Sequence, residues 1–121
     1  MDSAEQRTMP PERTHAVPRD EWPEWCVQVS ADERGRELTL HQATGADEEV
    51  RLVDGQPLVG LIHDVFGPSR ALTVRYGTEA VPVNRVIAEP ETIDQQRDPS
   101  GRLASIHIVD RTGGRTRVDL R

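Results

Sequence analysis

Apolar residues first recur with helical spacing after residue 19. Positions i, i+3, i+4 and i+7 of one helical face are occupied by Trp22, Trp25, Cys26 and Val29. Asp20 suits the start of such a helix because a carboxylate there accepts free backbone N–H groups and opposes the positive end of the helix dipole. Pro23 is tolerated only in the first turn. The pattern predicts a helix over residues 20–32 that ends near Gly35.

Beyond the helix the apolar period changes to two, which is typical of strands. Alternation or a short apolar run marks seven segments: residues 38–41, 50–52, 58–63, 71–76, 81–87, 103–109 and 116–120. The stretches TGADEE and DGQP read as turns that bound the second segment. Pro82 confines its strand to a sheet edge or to a strand start. The paired glycines of DRTGGR allow positive φ, so the last two segments are expected to form a β-hairpin.

The order of these elements predicts an α+β domain, in which a short N-terminal helix precedes a strongly bent antiparallel sheet or a small barrel that ends in the C-terminal hairpin. The 121 residues suffice for one hydrophobic core but not for two. Residues 1–18 carry three prolines and few sizeable apolar side chains, so they cannot bury enough surface to offset the entropy of ordering. We therefore predict a flexible tail over residues 1–18 and a single domain over residues 19–121.

Composition and charge narrow the choice of partners. Only 3% of the residues are aromatic, so the core must be built from aliphatic side chains. All 15 basic residues are arginine, yet 21 acidic residues bring the net charge to -6, and the isoelectric point lies near 5.2. Nucleic-acid-binding domains usually have a basic stripe and a high isoelectric point. The balance argues against a general polyanion binder and leaves room for a local arginine patch.

Cysteine usage and the lack of long apolar runs bear on the location of the protein. A lone Cys26 cannot form an internal disulfide, which fits a reducing compartment. No segment approaches the ~18 consecutive apolar residues of a membrane span, and the first residues lack the apolar run of a secretory signal. We expect a cytoplasmic protein without a membrane partner.

Four segments resemble a family of small bacterial proteins that is catalogued only as a domain of unknown function. That family opens with a PRxEW element and continues into a β-rich body. The matching segments are VPRDEW at 17–22, PLVGLIHD at 57–64, IAEPETI at 87–93 and GRLASIHIVDRTGGRTRVDL at 101–120. Family members often carry a histidine shortly before the IxxP element, where this chain has Arg85. The resemblance implies a β-rich body but no activity, because the family has none assigned.

The segment VRLVDGQPLVGLIHDV, residues 50–65, is similar to the first motif of Sm-like small barrels, in which glycines set up a strongly bent strand. The matching positions are Gly55, Leu58, Gly60 and Ile62. The resemblance implies an Sm-like or SH3-like barrel, with IAEPETI in the place of the second motif. Phe66 and Arg70 stand where that family has the Asp and Asn that hold uridine, so the motif does not imply RNA binding. Crowding in any bent strand is an alternative reason for Gly60.

Candidate catalytic and metal-ligating residues are few. His63 and Asp64 are adjacent, so in a strand they point to opposite faces and do not act as a general base and its orienting carboxylate. Cys26 lies on the apolar helical face, where packing is expected rather than nucleophilic attack. No i,i+2 or CxxC spacing typical of metal ligands joins Cys26 and the histidines at 15, 41, 63 and 107. Neither a glycine-rich phosphate loop nor a GxSxG element occurs. We therefore predict a protein that is not an enzyme, with no catalytic residue, metal ligand or cofactor.

Two tryptophans and three arginines are the residues best suited to a partner surface. Trp22 and Trp25 are expected to pack in the core; if exposed, they would anchor a partner. Arg111, Arg115 and Arg117 cluster around the last hairpin, with the latter two on one face of the final strand. They form either an anion or partner surface, or a solvated strand face that discourages edge-to-edge aggregation.

Three functional hypotheses remain. The first is a non-catalytic module for protein association or self-assembly, through an open sheet edge or another surface. The second is an Sm-like RNA-binding protein, which the net charge disfavours. The third is a small hydrolytic or metal-dependent enzyme centred on His63 and His107. We favour the association module, whose protein partner the sequence does not identify.

Overall fold

A computed structural model describes residues 14–121 of the chain. The elements are β1 (Thr14–Ala16), α1 (Trp22–Glu33), β2 (Glu37–Ala43), β3 (Val50–Phe66), β4 (Ser69–Gly77), β5 (Pro82–Ala88), β6 (Pro90–Arg97), β7 (Leu103–Asp110) and β8 (Arg115–Leu120). A 3₁₀ turn over Arg19–Glu21 leads into α1. The helix predicted over residues 20–32 is confirmed, with its first residues in this turn.

The eight strands form one antiparallel sheet in the order β1-β6-β7-β8-β2-β3-β4-β5. β3 belongs to both halves of the sheet, because its first residues pair with β2 and its last residues pair with β4. The sheet stays open, with β1 and β5 as its edges. The predicted α+β class, the bent antiparallel sheet and the C-terminal β7–β8 hairpin are confirmed.

β3 is a single strand of 17 residues. The sequence pattern predicts two strands separated by a turn at DGQP. The prediction of a turn is wrong, because Gly55 bends the strand without reversing its direction. Gly55 has a φ of 75° and is the extra residue of a bulge opposite Leu38 and Thr39. The register also skips Leu52 and Val59. Such bulges bend a strand and increase its twist, so β3 can turn from one half of the sheet into the other.

A single residue, Glu89, connects β5 to β6. β5 is one edge of the sheet and β6 lies next to the opposite edge, so the sheet must curl until these regions meet. The Glu89 N–H donates to the Arg70 carbonyl oxygen at 2.9 Å, and the Arg111 N–H donates to the Glu89 carbonyl oxygen at 2.9 Å. Glu89 has a φ of 52°, the one positive value at a non-glycine residue within 14–121. This corner ties β4 to the β7–β8 turn.

The core lies inside the curled sheet, where α1 packs against β3. Its most completely buried large side chains are Trp22, Leu38, Leu40, Leu58, Leu72, Val74, Ile93, Leu103, Ile106, Ile108 and Val118. The aliphatic core that the low aromatic content predicts is confirmed. Burial of so much aliphatic surface is the main source of stability for a domain of this size.

The second half of β3 pairs with β4 on one side only, and helix α1 packs against this strand where its pairing with β2 has ended. Ser30 Oγ accepts a hydrogen bond from the Leu61 N–H at 2.8 Å and donates to the Cys26 carbonyl oxygen at 2.7 Å. Gly60 permits this approach, because a Cβ at that position would lie 2.9 Å from Ser30 Oγ. The crowding at Gly60 therefore comes from the helix, which the sequence interpretation did not include.

Part of the predicted tail belongs to the fold. Thr14–Ala16 pair with β6, and the N–H of the buried Val17 donates to the Ile93 carbonyl oxygen at 2.8 Å. These backbone hydrogen bonds stabilise the segment, whereas the prediction of a flexible tail considered only its few apolar side chains. Residues 1–13 of the predicted tail lie outside the described residues. β6 is not among the predicted strands, because Ile93 is its only large aliphatic residue and no alternation marks it.

Candidate functional site

The two tryptophans of the predicted partner surface lie in different environments. Trp22 is 1% exposed, and its Nε1–H donates to the Val17 carbonyl oxygen at 2.8 Å. Trp25 is half-buried and donates from Nε1 to Gln95 Oε1 at 3.1 Å, which links α1 to β6. Trp22 therefore packs in the core and offers no surface to a partner, while Trp25 keeps only part of its ring accessible.

The three arginines of the predicted surface do not form one patch. Arg115 and Arg117 line the same cavity of about 380 Å³. Arg117 lies 3.0 Å from a carboxylate oxygen of Glu49, and Arg115 donates to the Asp47 carbonyl oxygen at 3.2 Å. Arg111, in the β7–β8 turn, lines a different cavity. Because Arg117 is paired with a carboxylate, this strand face gives little support to phosphate or RNA binding.

The polar face of β8 continues onto β7 and β2. One row across the three strands consists of His107, Arg117 and His41, and the next row consists of Ser105, Asp119 and Thr39. Asp119 connects the two rows, because its Oδ2 lies 3.2 Å from Arg117 Nε and 3.5 Å from His41 Nε2. The charges of this face therefore neutralise one another within the sheet.

Ser105, His107 and Asp119 bring together the three residue types of a nucleophilic triad. Ser105 Oγ lies 3.1 Å from His107 Nε2 and donates to Asp119 Oδ1 at 2.9 Å. In a triad the histidine takes the serine proton and the carboxylate orients the histidine. Here the carboxylate accepts the serine hydroxyl itself, and Ser105 is only 7% exposed. The arrangement fits a hydrogen-bonded tie between β7 and β8 better than an activated nucleophile.

His63 and Asp64 occupy neighbouring positions of β3, opposite Leu72 and Ala71 respectively. The His63 ring packs edge-on against Trp22, with 5.9 Å between the ring centroids. Burial lowers the pKa of His63, the charge of Arg70 lowers it further, and Asp64 offsets part of the change. The His63 ring is therefore positioned by its packing against Trp22 and not by the Asp64 carboxylate.

Cys26 is 2% exposed, and burial raises the pKa of its thiol to about 12. The thiol is therefore protonated at neutral pH, whereas the reactive form of a cysteine is the thiolate. Its predicted role as a small core residue is confirmed. Among residues 14–121, no group of three His, Cys, Asp or Glu side chains is placed to hold a metal ion.

Exposed aliphatic and aromatic residues lie away from the polar face of β8. They are Val50, Leu52, Ile62, Val65 and Phe66 on β3, Val81, Val83 and Val86 at β5, and Val27 on α1. β5 pairs with β4 in regular register from Gly77–Pro82 to Ala71–Ala88. As an edge strand it has no strand on its other side, and no other backbone hydrogen bond of residues 14–121 involves β5. The regular strand thus presents free N–H and C=O groups.

A groove of about 570 Å³ adjoins the start of β5. Its apolar lining consists of Leu52, Val53, Tyr76, Val81 and Val83. We call the free side of β5, its exposed valines and this groove the β5 surface. Sequence reasoning missed it: Pro82 predicts an edge strand or a strand start, and β5 is an edge strand that begins at Pro82, but the alternating valines look the same whether they face the core or solvent. Only the bend of β3 brings Leu52 close to β5.

Arg85 is the one charged residue of β5, and Asp54 also lines the groove beside the strand. It lies between Val83 and Ile87 on one face of β5, opposite Val74. Its Nε is buried, and no hydrogen-bond partner for it exists among the described residues. A buried donor without a partner loses its hydration with no compensation, so a ligand that supplies an acceptor here would gain affinity.

Together these features define a small α+β protein with an open, strongly curled antiparallel sheet and an edge strand, β5, whose outer side pairs with no strand of residues 14–121. Comparisons with models of protein families, with curated proteins and with solved structures give no match. The resemblance to the PRxEW family stays a prediction. In the part of the chain that the structure describes, helix length and apolarity fall short of what crossing a membrane requires.

Proposed function

We propose that this protein is a non-catalytic association module that binds an extended segment of a partner protein as an additional strand beside β5. The observation that carries the proposal is the outer side of β5, which pairs with no other described strand. Two side chains of this strand, Val83 and Val86, are exposed. Free backbone groups on a regular edge strand are a template for pairing with another chain. The Ser105 hydrogen bonds and the protonated Cys26 thiol support the absence of catalysis.

The side chains around β5 define the chemistry of the partner. Val86 aligns with Thr73 and Ile62 across the outer face, while Val83 lies beside the groove. An added strand would send alternate side chains to these two faces. Aliphatic side chains fit both, because each methylene removed from water contributes about 0.8 kcal/mol.

Arg85 adds an electrostatic requirement. A carboxylate on the added strand, placed opposite Arg85, would accept a hydrogen bond from the buried Nε, for which residues 14–121 provide no acceptor. The expected partner segment therefore carries aliphatic, acidic and aliphatic residues at alternate positions. We place this association in the cytoplasm, the compartment that the sequence predicts.

Self-pairing of β5 is the competing use of the same edge. Two copies that pair about the middle residue of β5 would place Arg85 opposite the second Arg85. Like charges directly opposite each other destabilise a strand pair. A partner of different sequence is therefore favoured over a second copy.

The test is an NMR titration of the full-length, ¹⁵N-labelled protein with the peptide TVSETVS, which carries Val, Glu and Val at alternate positions. We expect saturable shifts of the β5 amides and of Leu52 and Val81. The peptide TVSKTVS should bind about tenfold more weakly, because hydrogen bonds to charged groups contribute ~1.5–3 kcal/mol. Val83→Lys, on the same face of β5 as Arg85, should weaken binding, and Val27→Lys, at an exposed position of α1, is the matched control.

Three outcomes would contradict the proposal. The first is the absence of saturable shifts at millimolar peptide, and the second is binding that Val83→Lys leaves unchanged. In the third, the β5 amides shift with protein concentration alone and light scattering reports a dimer. Self-association would then be the function of this edge.

A further inference from the structure

A second cavity lies at the corner where Glu89 joins β5 to β6. Its volume is about 210 Å³, and its lining consists of Arg19, Pro68, Arg70, Glu89, Pro90, Glu91 and Arg111. The three arginines come from the 3₁₀ turn, the start of β4 and the β7–β8 turn. None of these residues lines the groove of the β5 surface, so this corner cavity is independent of the proposed association site.

The backbone holds the three arginines near one another. The hydrogen bonds of Glu89 with the Arg70 carbonyl oxygen and the Arg111 N–H fix two of them to the same residue. The Arg19 guanidinium lies 5.2 Å from the Trp22 ring centroid and donates to the Glu91 carbonyl oxygen at 3.3 Å. The Arg19 guanidinium and the backbone at Arg70 and Arg111 are therefore held in place before a ligand binds, which reduces the conformational entropy lost on binding.

The guanidinium groups of this cavity have no partner carboxylate among residues 14–121. Arg36, Arg117 and Arg121 each lie within 4.0 Å of an acidic side chain. Within residues 14–121, no carboxylate comes that close to any of the three arginines of the corner cavity. Glu89 and Glu91 line the cavity without forming such pairs. The charge of Arg70 also lowers the pKa of the neighbouring His63.

We propose that the corner cavity binds the phosphate group of a small phosphate monoester. Guanidinium groups match the geometry of phosphate oxygens and donate paired, charge-assisted hydrogen bonds to them. Arg19, Arg70 and Arg111 would hold the phosphate. The carboxylates of Glu89 and Glu91 would accept hydrogen bonds from an amine on the rest of the molecule, and they select against a bare anion.

The first experiment is a titration of the full-length, ¹⁵N-labelled protein with inorganic phosphate, in which sodium chloride keeps the ionic strength constant. We expect saturable shifts at Arg70, Glu89 and Arg111. Arg70→Gln and Arg111→Gln should each weaken binding about tenfold, as expected for the loss of a charge-assisted hydrogen bond. Arg34→Gln, at an exposed position after α1, is the matched control and should leave binding unchanged.

The second experiment tests the carboxylates. Glu91→Gln should bind inorganic phosphate more tightly than the wild type, because it removes a negative charge from the cavity. Phosphoethanolamine should bind the wild type more tightly than ethyl phosphate, and Glu91→Gln should reduce that preference.

If chloride alone produced the same shifts, the proposal would be overturned, because the shifts would then report the general screening of charges by salt. Unchanged affinity in folded Arg70→Gln and Arg111→Gln would overturn it as well. Equal affinity of the wild type for phosphoethanolamine and ethyl phosphate would remove the selection for an amine. Retained peptide binding at β5 in the arginine variants would show that the two proposals stand or fall separately.

Discussion

Cys26 lies on the buried face of α1, and burial raises the pKa of its thiol from an ordinary 9.0 to about 12. Above pH 9 the unfolded chain loses this proton while the folded chain retains it. The folded state then binds more protons than the unfolded state, so the free energy of unfolding decreases as pH rises. The stabilisation is complete below pH 9 and is lost as pH rises towards the folded pKa.

For this residue we expect the free energy of unfolding to fall between about pH 9 and about pH 11, with a limiting slope of about 1.4 kcal/mol per pH unit. Urea unfolding of the wild type and of Cys26→Ala at several pH values measures the effect. Cys26→Ala is less stable at neutral pH because it leaves a cavity, but its stability should depend less on pH. Parallel pH dependences in the two proteins would contradict the assignment to Cys26.

At the scale of elements, the junction of α1 with β3 depends on one hydroxyl and one missing side chain. Ser30 Oγ occupies the space that a Cβ at Gly60 would need. We expect Gly60→Ala to lower the free energy of unfolding by ~1–3 kcal/mol, the usual cost of overpacking. Ser30→Ala should cost about 1 kcal/mol, because the Leu61 N–H loses its acceptor.

A double-mutant cycle measured by urea unfolding tests this junction. In the Ser30→Ala background, Gly60→Ala should cost less than in the wild type, because the clashing oxygen is gone. The amide of Leu61 should also exchange with solvent faster in Ser30→Ala than in the wild type. Additive costs in the cycle would show that the helix and strand do not meet through these two residues.

At the scale of the whole molecule, the curl of the sheet depends on the corner at Glu89. Its φ of 52° is unfavourable for a residue with a Cβ, and it precedes Pro90, which further restricts its backbone. We expect Glu89→Gly to be more stable than Glu89→Ala by about 1 kcal/mol. Both variants remove the carboxylate, so thermal or urea unfolding of the pair isolates the backbone term. Equal stability, or a more stable alanine variant, would contradict a strained corner.

The sequence predicts much of the fold because local patterns record local geometry. The i, i+3, i+4 spacing identifies α1, and the paired glycines identify the last hairpin. Pro82 limits its strand to a sheet edge or a strand start, and both hold for β5. β6 has too few apolar residues to produce alternation, so its strand forms through pairing with β7 and β1. The turn expected at Gly55 fails for a related reason, since a glycine with positive φ serves a bulge as well as a turn.

Neither proposed site could be predicted from the sequence in the same way. The arginines of the corner cavity, at positions 19, 70 and 111, are far apart in the chain, and Arg111 alone was among the predicted surface residues. Leu52 and Val83 have the sequence pattern of ordinary strand residues. They line one groove only because the bend of β3 brings Leu52 close to β5. For Trp22 the sequence favours core packing over a partner surface, and the residue lies in the core.

Local sequence patterns are enough to predict the α+β class, the aliphatic core, the helical face that holds Cys26 and the final hairpin. These follow from periodicity, φ preferences and side-chain volume, which act between near neighbours in the chain. The folded arrangement of residues 14–121 is needed to show which valines are exposed, which arginines find no carboxylate partner within that range and where Gly60 meets Ser30. Those properties depend on the bulges of β3 and the corner at Glu89, because small changes in backbone direction decide which distant residues become neighbours.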